Sequence, residues 1–376
     1  MKKKLRVGLI FGGRSGEHEV SLMSARGVMN ALDKEKYTVV PIGITKEGRW
    51  LAAGDPLRTL SSGVNAGSQP AALLAEPSSQ GLIHLEEEEP AGRLIAVQMS
   101  QLDVVFPLLH GPYGEDGTIQ GLLELAGLPY VGAGVAASAV GMDKALFKDI
   151  MRAHNLPVVP DLVIKRKTWE QHPEEILARI EAEIGYDCFV KPANLGSSVG
   201  VSKAHNRAEL QTALEEAARF DRKLVVEEAV DAREIEVSVL GNDVPITSLP
   251  GEIVPCNEFY DYAAKYLADE SELLIPAPIS RHLTEQVRQM AIKAYLAIDC
   301  AGMARADFLL DRQSGELYIN EVNTIPGFTP ISMYPKLWEA TGLSYTELID
   351  RLIELALERH QDKSRSATYY QASGQG

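Results

Sequence analysis

The sequence predicts an α/β protein of two or three domains that becomes α+β toward its C-terminal end. Three observations support this fold class. The chain has 376 residues, more than one domain usually contains. Its composition, 45% hydrophobic and 24% charged, is that of a globular protein. Short apolar runs alternate with helical patterns from the start of the chain, which is typical of a doubly wound parallel sheet.

The first unit is expected over residues 1–140. Its elements, in order, are a strand at 5–11, a helix at 17–32 and strands at 37–44 and 102–109. The first run is wholly apolar and ends in glycines, as buried parallel strands do. Residues 54–93 are rich in Gly, Ser, Ala and Pro, so we expect a variable surface insertion there with no assigned element. The acidic run at 86–89 is expected in a solvated loop.

A central unit is expected over residues 141–225, where Asp143 is placed to cap a helix that prolines end after His154. Further elements there are strands at 162–165, 188–191 and 200–203 and a helix at 173–184. The third unit, 226–360, is expected to comprise strands at 224–228 and 234–240, an irregular stretch at 250–271, a helix at 284–298, strands at 303–310 and 317–322 and a helix at 345–360. Residues 361–376 are a polar tail.

Composition excludes several classes of function. A formal net charge of −15 argues against nucleic acid as a partner, because phosphates require Lys and Arg. There is no 18-residue apolar run for a membrane helix, and the basic N-terminus lacks the apolar region of a secretory signal. Cys188, Cys256 and Cys300 have no metal-type spacing and fit reduced thiols in a cytoplasm. The dinucleotide motif G-x-G-x-x-G is absent after the first strand, which counts against an NAD oxidoreductase.

The strongest chemical signal is a set of oxygen ligands on two neighbouring strands. Glu321 and Asn323 alternate onto one face of a strand, and Asp307 can join them if the two strands form a hairpin. Such an all-oxygen set suits Mg²⁺ that also holds nucleotide phosphates. The alternative is a solvated hairpin face without metal.

A second signal is the Gly/Ser-rich turn at 191–200 between two predicted strands. Backbone N–H groups there can surround a phosphate, and Lys191 adds a charge, with Lys144 a weaker candidate. No Gly-Lys-Ser/Thr order is present, so this is not a P-loop. The alternative is a flexible turn. The apolar strand that ends in Glu227 and Glu228 could bind an adenine at its edge, and Glu234 could bind the ribose hydroxyls.

Two glycine-rich segments follow predicted strand ends, where open α/β sheets bind ligands. One is residues 110–121, beginning with His110, and the other is residues 12–17. Together with 302–326 and the stretch 259–266, these segments resemble the D-alanine–D-alanine ligases of the ATP-grasp superfamily. The resemblance covers about residues 7–360. It implies an ATP-grasp fold with a Rossmann-like N-terminal domain, a substrate loop at 12–22 and a mobile loop at 250–271.

The resemblance also implies a role for each site residue. Glu17 would bind the ammonium of the first D-alanine and His110 would lie near its carboxylate, while Ser197 and Tyr266 would close the site. The nucleotide contacts implied are Lys144, Lys191, Ser197, Ser198, Glu227, Glu228, Val230, Glu234, Lys265, Phe308 and Asn320. The metal ligands implied are Asp307, Glu321 and Asn323. Arg305 and Gly327 N–H would form the oxyanion site, and Ser332 with the Met333 backbone would bind the second substrate's carboxylate.

The implied reaction joins two D-alanines with ATP, through an acyl phosphate, for peptidoglycan precursors. It would use two Mg²⁺ or Mn²⁺ ions in a cytoplasmic homodimer. Glu228 stands where other members carry Lys, which leaves the adenine contacts open. Three alternatives remain: a D-alanine–D-lactate ligase, which Tyr266 argues against; an ATP-grasp ligase for other substrates; and a non-catalytic ATP sensor.

Overall fold

The first sheet contains the parallel strands predicted from the sequence. In a computed structural model of the chain, which describes residues 3–78, 81–88, 93–254, 272–329 and 331–367, β1 (Leu5–Gly12) lies between β2 (Tyr37–Ile44) and β7 (Val104–Pro107). Both neighbours are parallel to β1. The helix α1 (His18–Ala31) follows β1, so the predicted substrate loop at 12–22 is a loop only as far as Glu17.

The described residues of 54–93 include regular elements, which the sequence had not predicted. The helix α2 (Pro56–Ser62) follows β3 (Trp50–Ala52), and β4 (Gln69–Leu73), β5 (Gly81–Glu88) and β6 (Arg93–Gln101) extend the sheet antiparallel. Small residues such as Ser68 and Ala71 are buried here, so composition alone gave no signal for these elements. Glu86 and Glu88 are exposed as expected, but on a strand rather than in a loop.

The central unit contains a four-stranded antiparallel sheet. Its order is β10 (Ser202–Ala204), β9 (Cys188–Pro192), β11 (Lys223–Glu228) and β8 (Asp161–Lys165). The strand β11, predicted to open the third unit, pairs with β8 and β9 and therefore belongs to this sheet. Its helices are α5 (Lys144–Ala153), α6 (Arg166–Gln171), α7 (Pro173–Glu183) and α8 (Arg207–Phe220), preceded in the chain by α3 (Thr118–Leu125) and α4 (Val135–Met142).

The third sheet contains the predicted hairpin. Its order is β15 (Glu272–Leu274), β14 (Gly251–Val254), β12 (Ala232–Gly241), β16 (Gly302–Asp311) and β17 (Leu317–Asn323), with β13 (Ile246–Thr247) beside β12. The pairing of β16 with β17 confirms the hairpin prediction. The segment predicted as irregular begins with the regular strand β14, and its residues 255–271 lie outside the described part of the chain.

The C-terminal helices connect the third sheet to the first. They are α9 (Arg281–Ala297), α10 (Met333–Thr341) and α11 (Tyr345–Lys363), the last ending three residues beyond its predicted end. One apolar core contains Phe11 and Phe106 from the first sheet together with Phe328, Trp338 and Leu352 from the C-terminal part. This shared core holds the glycine-rich loops of the first sheet against residues 324–329. None of the helices among the described residues has the length and apolarity that a membrane span requires.

Candidate active site

Glu17 lies where the loops of the first and central units meet. It precedes the first turn of α1 and is buried. The Ser197 hydroxyl donates to Glu17 Oε1 at 2.5 Å across 180 residues of sequence. A Cβ on Gly111 would lie 2.5 Å from Glu17 Oε2, so the close approach of that loop requires glycine. The predicted amino-acid pocket and the predicted phosphate loop are therefore in direct contact.

His110 is buried and bridges the first unit to the loop at 324–329. Its Nδ1 lies 3.0 Å from the Ile325 carbonyl oxygen and its Nε2 lies 3.0 Å from Ser24 Oγ. Burial lowers the pKa of His110, which outweighs the opposing influence of Glu17, so the ring is neutral. Since both ring nitrogens bond to the protein, the predicted contact with a substrate carboxylate stays a prediction.

The predicted phosphate loop, at residues 191–200, lies between the strands β9 and β10 of the central sheet, as expected. Ser197 and Ser198 have φ angles of 50° and 57°, a left-handed conformation that is uncommon for residues with a Cβ. Lys144, in the first turn of α5, donates through Nζ to the Leu195 carbonyl at 2.6 Å. Asp143 caps this helix, as predicted, by accepting from Leu146 N–H. Helix α5 is thereby attached to the loop.

A buried ion cluster lies on the face of β9 and β11 that meets α5. Glu227 accepts from Lys191 Nζ at 2.6 Å and pairs with Lys148 Nζ at 3.1 Å. Burial alone would raise the pKa of Glu227, but the two ammonium groups outweigh it and lower the pKa to about 2. Lys148 was not among the predicted site residues. It lies four residues after Lys144 on α5, a spacing that places both lysines on one helical face.

The predicted metal ligands face one another across the hairpin. Asp307 pairs directly with Glu321, and the next pair on the same face of the hairpin is Arg305 with Asn323. The Arg305 guanidinium binds both carboxylate oxygens of Asp307, at 2.6 and 2.7 Å, and lies 3.0 Å from Glu236 Oε2. Burial would lower the pKa of Arg305, but Asp307 and Glu236 raise it, so this arginine keeps its charge.

A β-bulge shapes this hairpin, and no sequence signal predicted it. Asp307 pairs with Glu321 but Phe308 pairs with Ile319, which leaves Asn320 as the extra residue. Phe308 lies in the apolar core, 1% exposed, on the face opposite Asp307. This orientation does not support its predicted contact with ATP. Leu309 alternates onto the face of Asp307 and was not among the predicted site residues.

The remaining predicted residues divide into three groups. Ser332 precedes α10, and its Oγ accepts from Thr329 N–H at 3.0 Å, close to Gly327. Met333 is buried and packs against Gly251. Near the start of β12, Val230 and Glu234 are partly buried, whereas Glu228 is exposed. Lys265, Tyr266 and Cys256 lie outside the described residues.

The metal prediction depends on side chains of mixed type. No described part of the chain brings three or more His, Cys, Asp or Glu side chains into a metal-binding group. The predicted set contains only two carboxylates and an amide, all with oxygen donors of the kind that Mg²⁺ accepts. Asn323 Oδ1 accepts from Ile325 N–H at 3.2 Å, which fixes its orientation. The residues present therefore fit a divalent ion.

A parallel α/β domain followed by two α+β units, one with a lysine-lined loop and one with an acidic hairpin, defines the ATP-grasp class of ligases. Two family models match most of the chain: the D-ala D-ala ligase N-terminus over residues 6–133 and the D-ala D-ala ligase C-terminus over residues 150–354. The chain therefore belongs to the D-alanine–D-alanine ligase family. Membership implies the use of ATP and a divalent metal.

Relatives and solved structures agree with this assignment. The chain is 54% identical to a D-alanine–D-alanine ligase of Heliobacterium modesticaldum over 365 residues, covering 97% of this chain and 98% of the relative. A D-alanine–D-alanine ligase structure from Coxiella burnetii matches with a TM-score of 0.80 and 38% identity, over 96% of each chain. The VanG D-Ala:D-Ser ligase of Enterococcus faecalis matches with a TM-score of 0.82 and 35% identity, over 94% of this chain and 100% of that one.

Proposed function

We propose that this chain joins two D-alanines into D-alanyl-D-alanine for peptidoglycan precursors. ATP would convert the first D-alanine to D-alanyl phosphate, and the amine of the second would displace phosphate. The observation that carries the proposal is the 2.5 Å hydrogen bond from Ser197 to Glu17. It joins a buried carboxylate, suited to an ammonium group, to a loop suited to phosphate.

The first step requires positioning and charge neutralisation more than covalent chemistry. Glu17 would bind the ammonium of the first D-alanine. Lys144 donates to the Leu195 carbonyl in the predicted phosphate loop, and Lys191 lies on β9, the strand that leads into it. Both lysines would bind the ATP phosphates together with Ser198. Their positions at the ends of α5 and β9 support these roles.

Asp307, Glu321 and Asn323 would hold the metal, which we propose to be two Mg²⁺ or Mn²⁺ ions. A divalent ion there would neutralise the charge of the transferring phosphate. Asn320, displaced by the bulge, would lie beside the nucleotide. The direct pairing of Asp307 with Glu321 supports this set.

Adenosine would lie between the central and third sheets. Glu227 and the backbone of Val230 would contact the adenine, and Glu234 would accept from the ribose hydroxyls. Leu309, which shares the β16 face of Asp307 and pairs with Glu234, would provide an apolar surface for the base.

The second step develops negative charge on the carbonyl oxygen of the acyl phosphate. Arg305 and Gly327 N–H would stabilise this oxyanion, while Ser332 and the Met333 backbone would bind the second carboxylate. Lys265 and Tyr266 would close over the intermediate, because acyl phosphates hydrolyse in water. These two assignments rest on the sequence alone.

We also propose a cytoplasmic homodimer. Strand β6 is the edge of the first sheet, and its side chains Leu94, Ile95, Val97 and Met99 are exposed. A long apolar edge strand is a surface on which a second copy can pair. Sedimentation velocity should show a dimer that Val97→Lys weakens, and a native monomer at micromolar concentration would contradict the proposal.

The decisive experiment supplies ATP and Mg²⁺ with D-alanine, and with L-alanine, D-serine or D-lactate in parallel. We expect D-alanyl-D-alanine by mass, with one ADP and one phosphate per bond. Glu17→Gln should raise KM for D-alanine while leaving KM for ATP unchanged, and Glu183→Gln, which changes an exposed acid on α7, should alter neither. Equal turnover of L-alanine, or AMP as product, would refute the proposal.

A further inference from the structure

The loop at 324–329 is fixed by side chains from the first unit and from α11. Phe328 N–H donates to Ser24 Oγ at 3.2 Å, and the Phe328 carbonyl accepts from the Tyr345 hydroxyl at 2.7 Å. At the other end, the Ile325 carbonyl meets His110 Nδ1 at 3.0 Å. Gly327 lies between these fixed points, and its N–H forms no hydrogen bond with any residue that the structure describes.

The hydrogen bonds of His110 determine its tautomer. A carbonyl oxygen can only accept, so Nδ1 must carry the proton that the Ile325 carbonyl receives. In a neutral ring Nε2 is then an acceptor, and Ser24 Oγ–H is its donor. Ser24 Oγ in turn accepts the Phe328 N–H. The bonds form one directed chain, from Phe328 through Ser24 and His110 to Ile325.

This chain is shielded from water. Ser24 and Phe328 are 0% exposed, Ile325 is 1% exposed and His110 is 4% exposed. Burial lowers the pKa of His110, so the neutral form that the hydrogen bonds require is also the form that its surroundings favour. A Cβ on Gly27, one turn beyond Ser24, would lie 2.6 Å from the Phe328 carbonyl oxygen, so the loop also packs directly on α1.

We propose that Ser24 and His110 are positioning residues that hold Gly327 N–H at the oxyanion site. The inference rests on the proposed ligase reaction. It gives His110 a different task from the substrate contact that sequence resemblance implies, because a neutral ring with both nitrogens bonded to protein has no N–H left for a carboxylate. The proposal also gives a functional role to the Ser24 hydroxyl, which lies on the apolar face of α1.

The first test measures the tautomer directly, without substrate. Protein labelled with ¹⁵N at histidine is examined by long-range ¹H–¹⁵N NMR between about pH 6 and pH 9. His110, assigned from the spectrum of His110→Asn, should remain the neutral Nδ1–H tautomer throughout. In Ser24→Ala its Nε2 resonance should shift, because the donor is lost. A ring that is protonated at neutral pH, or carries its proton on Nε2, would overturn the inference.

The second test compares two buried serines. Ser24→Ala removes the directed chain, whereas Ser138→Ala removes an equally buried hydroxyl on α4 that has no hydrogen-bond partner among the described residues. We expect Ser24→Ala to lower kcat roughly 10- to 100-fold, with KM for ATP nearly unchanged. This fall in kcat is smaller than the one expected when an oxyanion donor is deleted outright. Ser138→Ala should retain kcat.

Two further outcomes keep the test decisive. If Ser24→Ala does not fold, Ser24→Cys, which keeps a weak donor of similar size, takes its place and should show a smaller fall in kcat. An unchanged kcat in a folded Ser24 variant, or equal losses in Ser24→Ala and Ser138→Ala, would overturn the inference. A native chain that forms no dipeptide would instead refute the proposed function and leave the tautomer measurement standing.

Discussion

Replacing Glu227 by Gln should destabilise the protein strongly at neutral pH and hardly at all in acid. Glu227 is fully buried between Lys191 and Lys148, at 2.6 and 3.1 Å. Gln keeps the size of the side chain and removes the charge. At pH 7 the variant leaves buried Lys148 without its counter-ion, whereas in acid the native Glu227 is itself protonated and resembles Gln.

The magnitude follows from the pKa of Glu227. It is lowered from 4.5 to about 2 in the folded protein. A difference of roughly 2.5 between these values corresponds to about 3 kcal/mol, since one pKa unit is worth about 1.4 kcal/mol. This contribution is present above pH 4.5 and is lost as the pH falls toward 2, because the folded state holds its proton less tightly than the unfolded state. Breaking a buried ion pair costs about 3–5 kcal/mol, in agreement.

The assay is urea unfolding of native protein and variant, without nucleotide, at several pH values from 7 to about 3. The difference in unfolding free energy should be about 3 kcal/mol at pH 7 and should shrink steadily below pH 4.5. Glu252→Gln is the control: it breaks an ion pair of similar length, but its partner Arg233 is partly exposed, so the loss should be smaller. A pH-independent difference for Glu227→Gln would refute the reasoning.

Two more predictions concern the site. Glu321→Gln should weaken Mn²⁺ binding, measured by electron paramagnetic resonance, and raise the barrier to turnover by at least about 2–4 kcal/mol, whereas the same change at exposed Glu316 should do neither. Near-normal turnover of Glu321→Gln would show that the metal site lies elsewhere. Tyr266→Phe should increase the ATP hydrolysed per peptide bond formed, because the predicted mobile loop at 250–271 would close less tightly; an unchanged ratio would contradict the proposed role of Tyr266.

The parallel part of the fold was readable from sequence because its signals are local. An apolar run that ends in glycine predicts a buried strand, and β1 follows that pattern. Strands β4 to β6 were missed because their pairing partners, not their own composition, make them strands. For the same reason β11 was predicted to belong to the third unit, because its pairing with β8 joins residues that are distant in sequence.

The site was predictable where chemistry and alternation coincide. Asp307 and Glu321 lie opposite one another because side chains alternate along paired strands. The contact of Phe308 with ATP stays a prediction, and its side chain lies in the apolar core on the face opposite Asp307. Lys148 was missed because a lysine on a helix is usually solvated, and only the tertiary structure shows that it is buried against Glu227.

The charged groups of this site compensate one another before any ligand arrives. Glu227 has two lysines, Arg305 has Asp307 and Glu236, and Glu17 receives the Ser197 hydroxyl. An isolated buried charge would cost several kcal/mol, so the ion pairs are what allow Glu227 and Arg305 to stay buried and ionised. Because each group is already held by its partner, little side-chain entropy remains to be lost when substrates bind. The same interactions that stabilise the fold thus preorganise the site.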